Sequence, residues 1–299
     1  MTDSIVINEV GPRDGLQSQK KHLDLEQRKS FVDVLVRSGL KNIEIGSFVS
    51  PKAVPQMAGT GELLQSLPQD EGLTYSVLVP NQKGYELARV AGAKTIALVV
   101  SATETMSQKN VRMSLEQSFA TAGGIIHEAK LDCITIQAYL SVAFVCPFEG
   151  SVSACLVREQ ARQLAEFGAD EIVIADTIGA ADPAAVRDLM NVLVEDYGSE
   201  RLACHFHDTR AMGLANVYAA LESGVRKFDS SIGGLGGCPF APGAKGNVAT
   251  EDVVMMCQQM GFETGIDISI LLEAVELISS LTEAQQGGRA HYWLSNNVA

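Results

Sequence analysis

The sequence predicts an α/β fold, a closed (β/α)8 or TIM barrel with an additional C-terminal helix. Eight predicted strands alternate with predicted helices along 299 residues, with short connections and no break in composition. Alternating strands and helices imply a parallel sheet with helical crossovers, and a barrel of this type takes about 250 residues. No GxGxxG motif follows the first predicted strand, so an open doubly wound sheet that binds a dinucleotide is the weaker alternative.

The predicted strands are short apolar or β-branched runs that end at glycine, proline or polar residues. In chain order they are Ile5–Val10, Asn42–Ile45, Tyr75–Val79, Thr95–Val100, Asp132–Tyr139, Glu171–Ala175, Leu202–Phe206 and Val225–Ser230.

The predicted helices begin at capping residues and end at glycine or at polar residues. Asp24 caps a helix that runs to Ser38, Ser114 caps Leu115–Ala129, and Thr250 caps Glu251–Met260. The others are Lys83–Ala91, Ser153–Phe167, a helix from Pro183, Met212–Ser223, and the additional helix Ile268–Leu281. We expect one domain over residues 1–299, with a C-terminal extension from about residue 262; the tail after Gly287 has no clear assignment.

Composition and charge narrow the choice of partner and compartment. The formal net charge is −13 with no basic stripe, so we expect neither nucleic acid nor an anionic membrane as a partner. No apolar run approaches the roughly 20 residues of a membrane span. The six cysteines form no CxxC pair and fit a reducing compartment. The N-terminus lacks a basic region followed by an apolar signal segment, and we expect a cytoplasmic protein.

Polar residues gather where the predicted strands end. Since the carboxyl ends of barrel strands carry the chemistry, these groups are expected to converge on one mouth. They are Arg13 and Asp14 after strand 1, Glu44 within strand 2, Tyr139 at the end of strand 5, Asp176 after strand 6, His205 and His207 at the end of strand 7, and Cys238 and Asn247 on the glycine-rich loop after strand 8.

His205 and His207 are the sharpest local signal for a metal. Alternate strand residues point to the same side, so both imidazoles can face one point, although an HxH pair can also be purely structural. Adding Asp14 and Asn247 gives two nitrogen and two oxygen donors. Such a mixed set suits Mg²⁺, Mn²⁺ or a borderline metal.

Several motifs together resemble the hydroxymethylglutaryl-CoA lyase family of metal-dependent TIM-barrel enzymes. The resemblance runs in order from about residue 4 to about residue 275. The glycine-rich motif with its following Gly-Asn is more specific to the lyases than the others, which also mark acyl-CoA-condensing synthases. The motifs are GPRDGLQ (11–17), SFVSPK (47–52), DTIG (176–179), HFHDT (205–209) and GLGGCP (234–239).

The resemblance implies the cleavage of 3-hydroxy-3-methylglutaryl-CoA to acetyl-CoA and acetoacetate, within leucine breakdown and ketone-body formation. It implies a divalent metal, Mg²⁺ or Mn²⁺, on Asp14, His205, His207 and Asn247. It also implies an acyl-CoA substrate and a homodimer.

The same resemblance implies roles for single residues. Arg13 would stabilise the enolate of the departing acetyl-CoA, and Cys238 would transfer a proton. Glu44, Asp176 and His205 are the further catalytic candidates, with ordering of the metal site as an equal possibility for Glu44. The candidate substrate contacts are Arg13, Gln17, Ser47, Tyr139 and Lys20.

The chain departs from the family pattern around the proposed pocket, for example at Ala53, where many relatives have tryptophan. These departures leave the identity of the acyl group open. The alternatives are citramalyl-CoA (giving pyruvate), a 3-hydroxyglutaryl-CoA with a longer branch, an acyl-CoA/oxo-acid synthase, and a non-catalytic metal-binding barrel.

Overall fold

A computed structural model describes residues 3–237 and 246–297 of the chain. Its parallel strands are Val6–Glu9 (β1), Asn42–Ser47 (β2), Thr74–Leu78 (β3), Thr95–Ser101 (β4), Thr135–Ser141 (β5), Glu171–Asp176 (β6), Leu202–Phe206 (β7) and Lys227–Ser230 (β8). Each strand pairs with its neighbours in sequence, and β8 pairs with β1, so the barrel is closed. The predicted (β/α)8 barrel is therefore confirmed.

The helices surround the barrel and continue past it. They are Leu25–Arg37 (α1), Thr60–Ser66 (α2), Gln82–Val90 (α3), Glu104–Val111 (α4), Leu115–Leu131 (α5), Ala154–Phe167 (α6), Pro183–Tyr197 (α7), Gly213–Glu222 (α8), Thr250–Gln259 (α9), Ile268–Thr282 (α10) and His291–Asn297 (α11). The capping boxes at Asp24 and Ser114 form as expected. Over the described ranges 3–237 and 246–297, no helix combines the length and apolarity that crossing a membrane requires.

Some details of the predicted elements were wrong, and helices α2 and α4 were not predicted. Helix α5 runs on to Leu131, so β5 begins only at Thr135 and Tyr139 lies inside the strand rather than at its end. Thr250 is the first residue of α9 and not its cap; its hydroxyl donates to Glu9 Oε2 at 2.5 Å. The tail forms α11, which the sequence did not reveal because Leu294 is its only buried residue and leaves no periodic pattern.

The apolar core has two parts. The larger part lies between the strands and the surrounding helices and includes Phe31, Ile96 and Phe228. The smaller part fills the barrel interior and contains Ala97, Tyr139, Val173 and Ala203. Because the interior is packed with side chains, a ligand has room only at the barrel's ends.

Arg28 fixes the end of β2 from inside the protein. Its Nη2 donates to the carbonyl of Ile45 at 3.0 Å and its Nη1 to that of Ala58 at 2.7 Å. The side chain is buried, and this burial lowers the pKa of Arg28 to about 10. The strand that carries Glu44 is therefore held by an arginine bonded to carbonyl groups.

Candidate active site

A cavity of about 400 Å³ opens at the carboxyl ends of the strands. Its lining contains both polar and apolar side chains. The polar lining consists of Arg13, Asp14, Gln17, Ser47, Asn110, Tyr139, Ser141, Thr177, His205 and His207. The apolar lining includes Val49, Ala53, Val54, Leu78, Pro80, Val99, Met106 and Val111.

A tight turn after β1 delivers Arg13 and Asp14 to the cavity. Gly11–Gly15 forms one π-helical turn in which the N–H of Asp14 donates to the carbonyl of Val10 at 2.7 Å. The N–H of Gly11 donates to Glu9 Oε1 at 2.8 Å, and a Cβ on Gly11 would lie 2.5 Å from that same oxygen. Only glycine allows this approach, so the motif's first glycine is required by the turn.

Arg13 holds the carboxylate of Asp14, which lines the cavity with it, and that of Glu44, which is fully buried and does not line the cavity. Its Nε donates to Glu44 Oε2 and its Nη1 to Asp14 Oδ1, each at 2.6 Å. Burial would lower the pKa of Arg13, but the charges of Glu44 and Asp14 outweigh it and raise the pKa. The guanidinium therefore stays charged and is fixed in orientation.

The two carboxylates differ in their acidity. Burial would raise the pKa of Asp14, but the charge of Arg13, helped by His205 and His207, lowers it to about 2. Burial dominates at Glu44 and raises its pKa to about 7, against the charge of Arg13. Asp14 is thus anionic, whereas Glu44 is suited to exchange a proton near neutral pH.

The two histidines lie side by side at the end of β7. Nε2 of His205 lies 3.1 Å from Nε2 of His207. Burial lowers the pKa of His207 to about 4, with the neighbouring His205 contributing. Burial also disfavours the charged form of His205, but the hydrogen bond and charge of Asp229 outweigh it and raise that pKa. His207 is therefore neutral, the form that ligates metals.

Asp229 and Asn8 support His205 from the neighbouring strands. Asp229 Oδ2 lies 3.0 Å from His205 Nδ1, and Asp229 Oδ1 accepts from Asn8 Nδ2 at 2.8 Å. The barrel register pairs Asn8 with Asp229 and Asp229 with His205. This chain of contacts fixes the imidazole ring and directs its Nε2 toward His207.

Asn247 reaches the site on a short segment that pairs with the end of β7. The N–H of Val248 donates to the carbonyl of Phe206, and the N–H of Asp208 to that of Gly246, each at 3.0 Å. Asn247 Nδ2 donates to Asp14 Oδ2 at 2.9 Å. Its Oδ1 is buried and has no hydrogen-bond partner within residues 3–237 and 246–297.

These donors fit a divalent cation. The ligating atoms of Asp14, His205 and His207 all lie within 4.8 Å of one another. The unpartnered Oδ1 of Asn247, fixed beside Asp14, supplies a fourth donor. Two imidazole nitrogens with a carboxylate and an amide oxygen form a set that accepts Mg²⁺, Mn²⁺ or a borderline metal.

The remaining predicted residues divide into those at the cavity and those away from it. Gln17, Ser47 and Tyr139 line the cavity, and Gln17 Nε2 also donates to Asp14 Oδ1 at 2.8 Å. Lys20 is exposed and does not line it. Cys238 lies outside the described residues, and its role stays a prediction.

Asp176 has local partners at the end of β6. Its carboxylate accepts the N–H groups of Ala180 at 2.8 Å and Ala181 at 3.0 Å. Burial raises the pKa of Asp176, opposed by these two hydrogen bonds. It is the neighbours Ala175 and Thr177 that line the cavity. The catalytic role expected of Asp176 stays a prediction, since these contacts give it a role in shaping the turn.

Sequence reasoning missed Asp229, Asn8, Ser141 and Thr177. A signal for Asp229 was present, because it is a carboxylate in a short buried strand, the same observation that singled out Glu44. Ser141 and Thr177 also end or follow strands, as the other mouth residues do. Asn8 gave no signal, since its importance arises from the pairing of β1 with β8.

Comparison with known proteins gives one consistent result. A family model described as HMGL-like matches residues 4–278. The hydroxymethylglutaryl-CoA lyase of Pseudomonas mevalonii is 43% identical over 95% of this chain and 93% of its own length. The 3-hydroxy-3-isohexenylglutaryl-CoA/hydroxy-methylglutaryl-CoA lyase of Pseudomonas aeruginosa is 42% identical over 94% of each chain.

A solved structure extends the similarity to the fold. It is an HMG-CoA lyase from Acinetobacter baumannii in complex with coenzyme A and 3-methylmalate. That chain is 36% identical and superposes with a TM-score of 0.93, covering 99% of this chain and 95% of the other. The barrel and its extension are therefore shared nearly end to end.

Proposed function

The chain belongs to the HMGL-like family, and from this premise we propose that it is a lyase acting on 3-hydroxy-3-methylglutaryl-CoA. The reaction breaks the bond between C2 and C3 and yields acetyl-CoA and acetoacetate. The C3 hydroxyl loses its proton and becomes the ketone of acetoacetate. The electron pair of the broken bond passes to the thioester as an enolate, which is then protonated at C2.

The observation that carries this proposal is that Arg13, fixed by its ion pairs, lies beside the candidate metal ligands at the mouth of the barrel. Arg13 lines the same cavity as Asp14, His205 and His207. A divalent cation on that set would lower the pKa of the substrate hydroxyl and polarise the developing ketone. The reaction needs a cation at the hydroxyl, on one side of the bond that breaks. It also needs a positive charge at the thioester, on the other side.

Arg13 supplies the positive charge at the enolate. The ion pairs with Glu44 and Asp14 use two of the guanidinium's nitrogens, and an arginine carries five N–H donors. The others are left to face the thioester oxygen, where negative charge develops in the transition state. Because the guanidinium is already oriented, it does not have to reorganise during the reaction.

Proton transfer needs a donor at C2 and an acceptor at the hydroxyl. We assign the donor to Cys238, which lies one residue beyond Gly237, a residue that lines the cavity. Glu44, with its pKa raised to about 7 by burial, can accept a proton near neutral pH.

The apolar lining of the cavity supports a second substrate with a longer branch at C3. Leu78 and Val99 pack against the apolar cluster of the barrel interior and also line the cavity. Met106 and Val111 add to this apolar wall. The relative from Pseudomonas aeruginosa is named for an isohexenyl substrate as well as the methyl one. Each additional methylene buried in an apolar pocket is worth about 1–3 kcal/mol, so this wall would retain a longer alkyl branch.

We propose further that the cation is Mg²⁺ or Mn²⁺, in keeping with the two oxygen donors. The enzyme would act as a homodimer, the commonest symmetric assembly, and would serve leucine breakdown and ketone-body formation. A cytoplasmic location agrees with the free thiols of Cys133, Cys146, Cys155, Cys204 and Cys257 in the described part of the chain.

The test is a product assay over a panel of acyl-CoA substrates. We expect acetoacetate from 3-hydroxy-3-methylglutaryl-CoA, and a measurable kcat/KM for an analogue with a longer C3 branch. Pyruvate from citramalyl-CoA at a higher kcat/KM would overturn the named substrate. Condensation of acetyl-CoA with an oxo-acid, without cleavage, would identify a synthase. If the metal-loaded protein turned over none of these substrates, the remaining interpretation would be a non-catalytic metal-binding barrel.

A further inference from the structure

The chain returns to the barrel mouth after its additional helix. Helix α10 ends at Thr282, where Glu283 takes a left-handed conformation (φ 54°) that terminates the helix. The following residues run back along the base of the glycine-rich loop, and α11 begins at His291. We call residues 287–290 the return segment.

Two carboxylates at the start of α9 hold the return segment through its backbone. Glu251 accepts the N–H of Gly288 at 2.7 Å with one oxygen and the N–H of Gly233 at 2.9 Å with the other. Asp252 accepts the N–H of Arg289 at 2.6 Å and that of Ala290 at 2.9 Å. Glu251 thus joins the return segment to the first part of the glycine-rich loop.

The side chain of Arg289 extends this attachment to the metal-ligand set. Its Nε donates to Asp208 Oδ2 at 2.6 Å. Asp208 directly follows His207, and its N–H donates to the carbonyl of Gly246, which directly precedes Asn247. Arg289 therefore contacts Asp208, and Asp208 joins the segment that carries His207 to the segment that carries Asn247.

We propose that Arg289 is a positioning residue that holds His207 and Asn247 in the geometry that binds the cation. The proposal rests on the metal site of the proposed function but not on the identity of the acyl-CoA substrate. In the ion pair the Arg289 side chain is 45% exposed and that of Asp208 15%. An ion pair this exposed adds little to global stability, so its loss should change the site and not the fold.

Metal affinity and tryptophan emission test the proposal. Trp293 is the only tryptophan of the chain and lies on α11, four residues after Arg289. It reports on the return segment with no labelling. We expect Arg289→Ala to raise the dissociation constant for Mn²⁺ about tenfold, the lower end of effects from groups that orient ligands, and to shift the Trp293 emission. Mn²⁺ binding would be followed by electron paramagnetic resonance.

Three further variants separate positioning from a general loss of structure. Arg289→Lys keeps the charge and should recover part of the affinity. Asp208→Asn should weaken Mn²⁺ binding to a similar degree, with little additional loss when combined with Arg289→Ala. Arg158→Ala removes an exposed arginine from its ion pair with Asp196, away from the mouth, and should leave both signals unchanged.

The outcomes are distinguishable from those of the substrate assay. Mn²⁺ affinities within twofold of wild type in both Arg289→Ala and Asp208→Asn would overturn the proposal, even if the protein cleaved its substrate. If Arg289→Ala did not fold, Asp208→Asn would decide the question alone. A protein with no lyase activity but with weakened Mn²⁺ binding in these variants would refute the proposed function and keep the positioning role.

Discussion

Oδ2 of Asp229 lies 3.0 Å from Nδ1 of His205, at the layer where β7 and β8 lie side by side. A carboxylate is an acceptor only, so Nδ1 carries a proton, and in the neutral imidazole Nε2 keeps its lone pair. That lone pair lies on the side of His207, whose Nε2 is 3.1 Å away. The contact therefore suits His205 to ligate a metal through Nε2, with Asp229 setting the tautomer.

Asp229→Asn should reverse this control. Asn8 Nδ2 donates to Oδ1 of Asp229, so an asparagine would keep its oxygen toward Asn8 and present its N–H₂ group to Nδ1 of His205. The proton would then move to Nε2 and block ligation. We expect a 10- to 100-fold loss of Mn²⁺ affinity, measured by isothermal titration calorimetry. Asp196→Asn on the surface is the control, and unchanged affinity in Asp229→Asn would contradict the assignment.

Arg13→Lys should reduce kcat by about 10²–10³, the usual cost of losing a group that stabilises an oxyanion. Lysine keeps a charge near Glu44 and Asp14 but has no planar fork to hold both carboxylates and face the thioester. The KM for the acyl-CoA should change much less than kcat. Steady-state kinetics with thermal unfolding of the same samples will check this. A kcat within tenfold of wild type would remove Arg13 from the role of enolate stabiliser.

Stability should fall as the pH rises from mildly acidic values to neutrality. Burial raises the pKa of both Glu9 and Glu251 from 4.5 to about 7. A carboxyl with a raised folded-state pKa contributes stability below its unfolded pKa and loses that contribution as pH rises to the folded value. The window is therefore about pH 4.5 to 7, and each group contributes at most about 3 kcal/mol.

Urea unfolding at several pH values measures this slope. Glu251→Gln cannot ionise, so its unfolding free energy should depend less steeply on pH across the window than that of wild type. Glu276→Gln, a substitution of an exposed carboxyl on α10, is the matched control. Parallel slopes for Glu251→Gln and wild type would show that Glu251 does not titrate there.

Thr250→Val should destabilise the fold by about 1–3 kcal/mol, the cost of leaving buried polar groups without a partner. The hydroxyl of Thr250 donates to Glu9 Oε2 and lies 2.7 Å from the hydroxyl of Ser230. Valine matches its shape but offers no hydrogen bond. Thr121→Val, at a half-buried position where the hydroxyl donates only within its own helix and to Met113 Sδ, should cost much less. Equal losses in the two variants would show that the contact with Glu9 contributes no stability.

The sequence was informative where function depends on positions along single strands. The barrel followed from the alternation of strands and helices, and Arg13, Asp14, His205 and His207 followed from their places at strand ends. Asp14 and the two histidines do form a candidate metal cluster. Each of these inferences needs only the local pattern and the rule that strand ends share one mouth.

The sequence was uninformative where function depends on contacts between distant segments. The link from Asn8 through Asp229 to His205 depends on the register of three strands. The return segment is held by hydrogen bonds from its backbone to Glu251 and Asp252, and backbone groups carry no sequence signal. At Asp176 the sequence pattern suggested a catalytic role, but a carboxylate at a strand end can equally accept the N–H groups of its own turn.

The central claim is that Asp14, His205, His207 and Asn247 hold one catalytic cation for carbon–carbon cleavage. Its most direct test is acetoacetate release from 3-hydroxy-3-methylglutaryl-CoA by chelator-treated protein, as Mn²⁺ is added back in known amounts. We predict a rate that rises in proportion to bound metal until one ion per chain, and no metal-dependent rate in a folded His205→Ala variant. Full activity in the metal-free protein, or in His205→Ala, would contradict the claim.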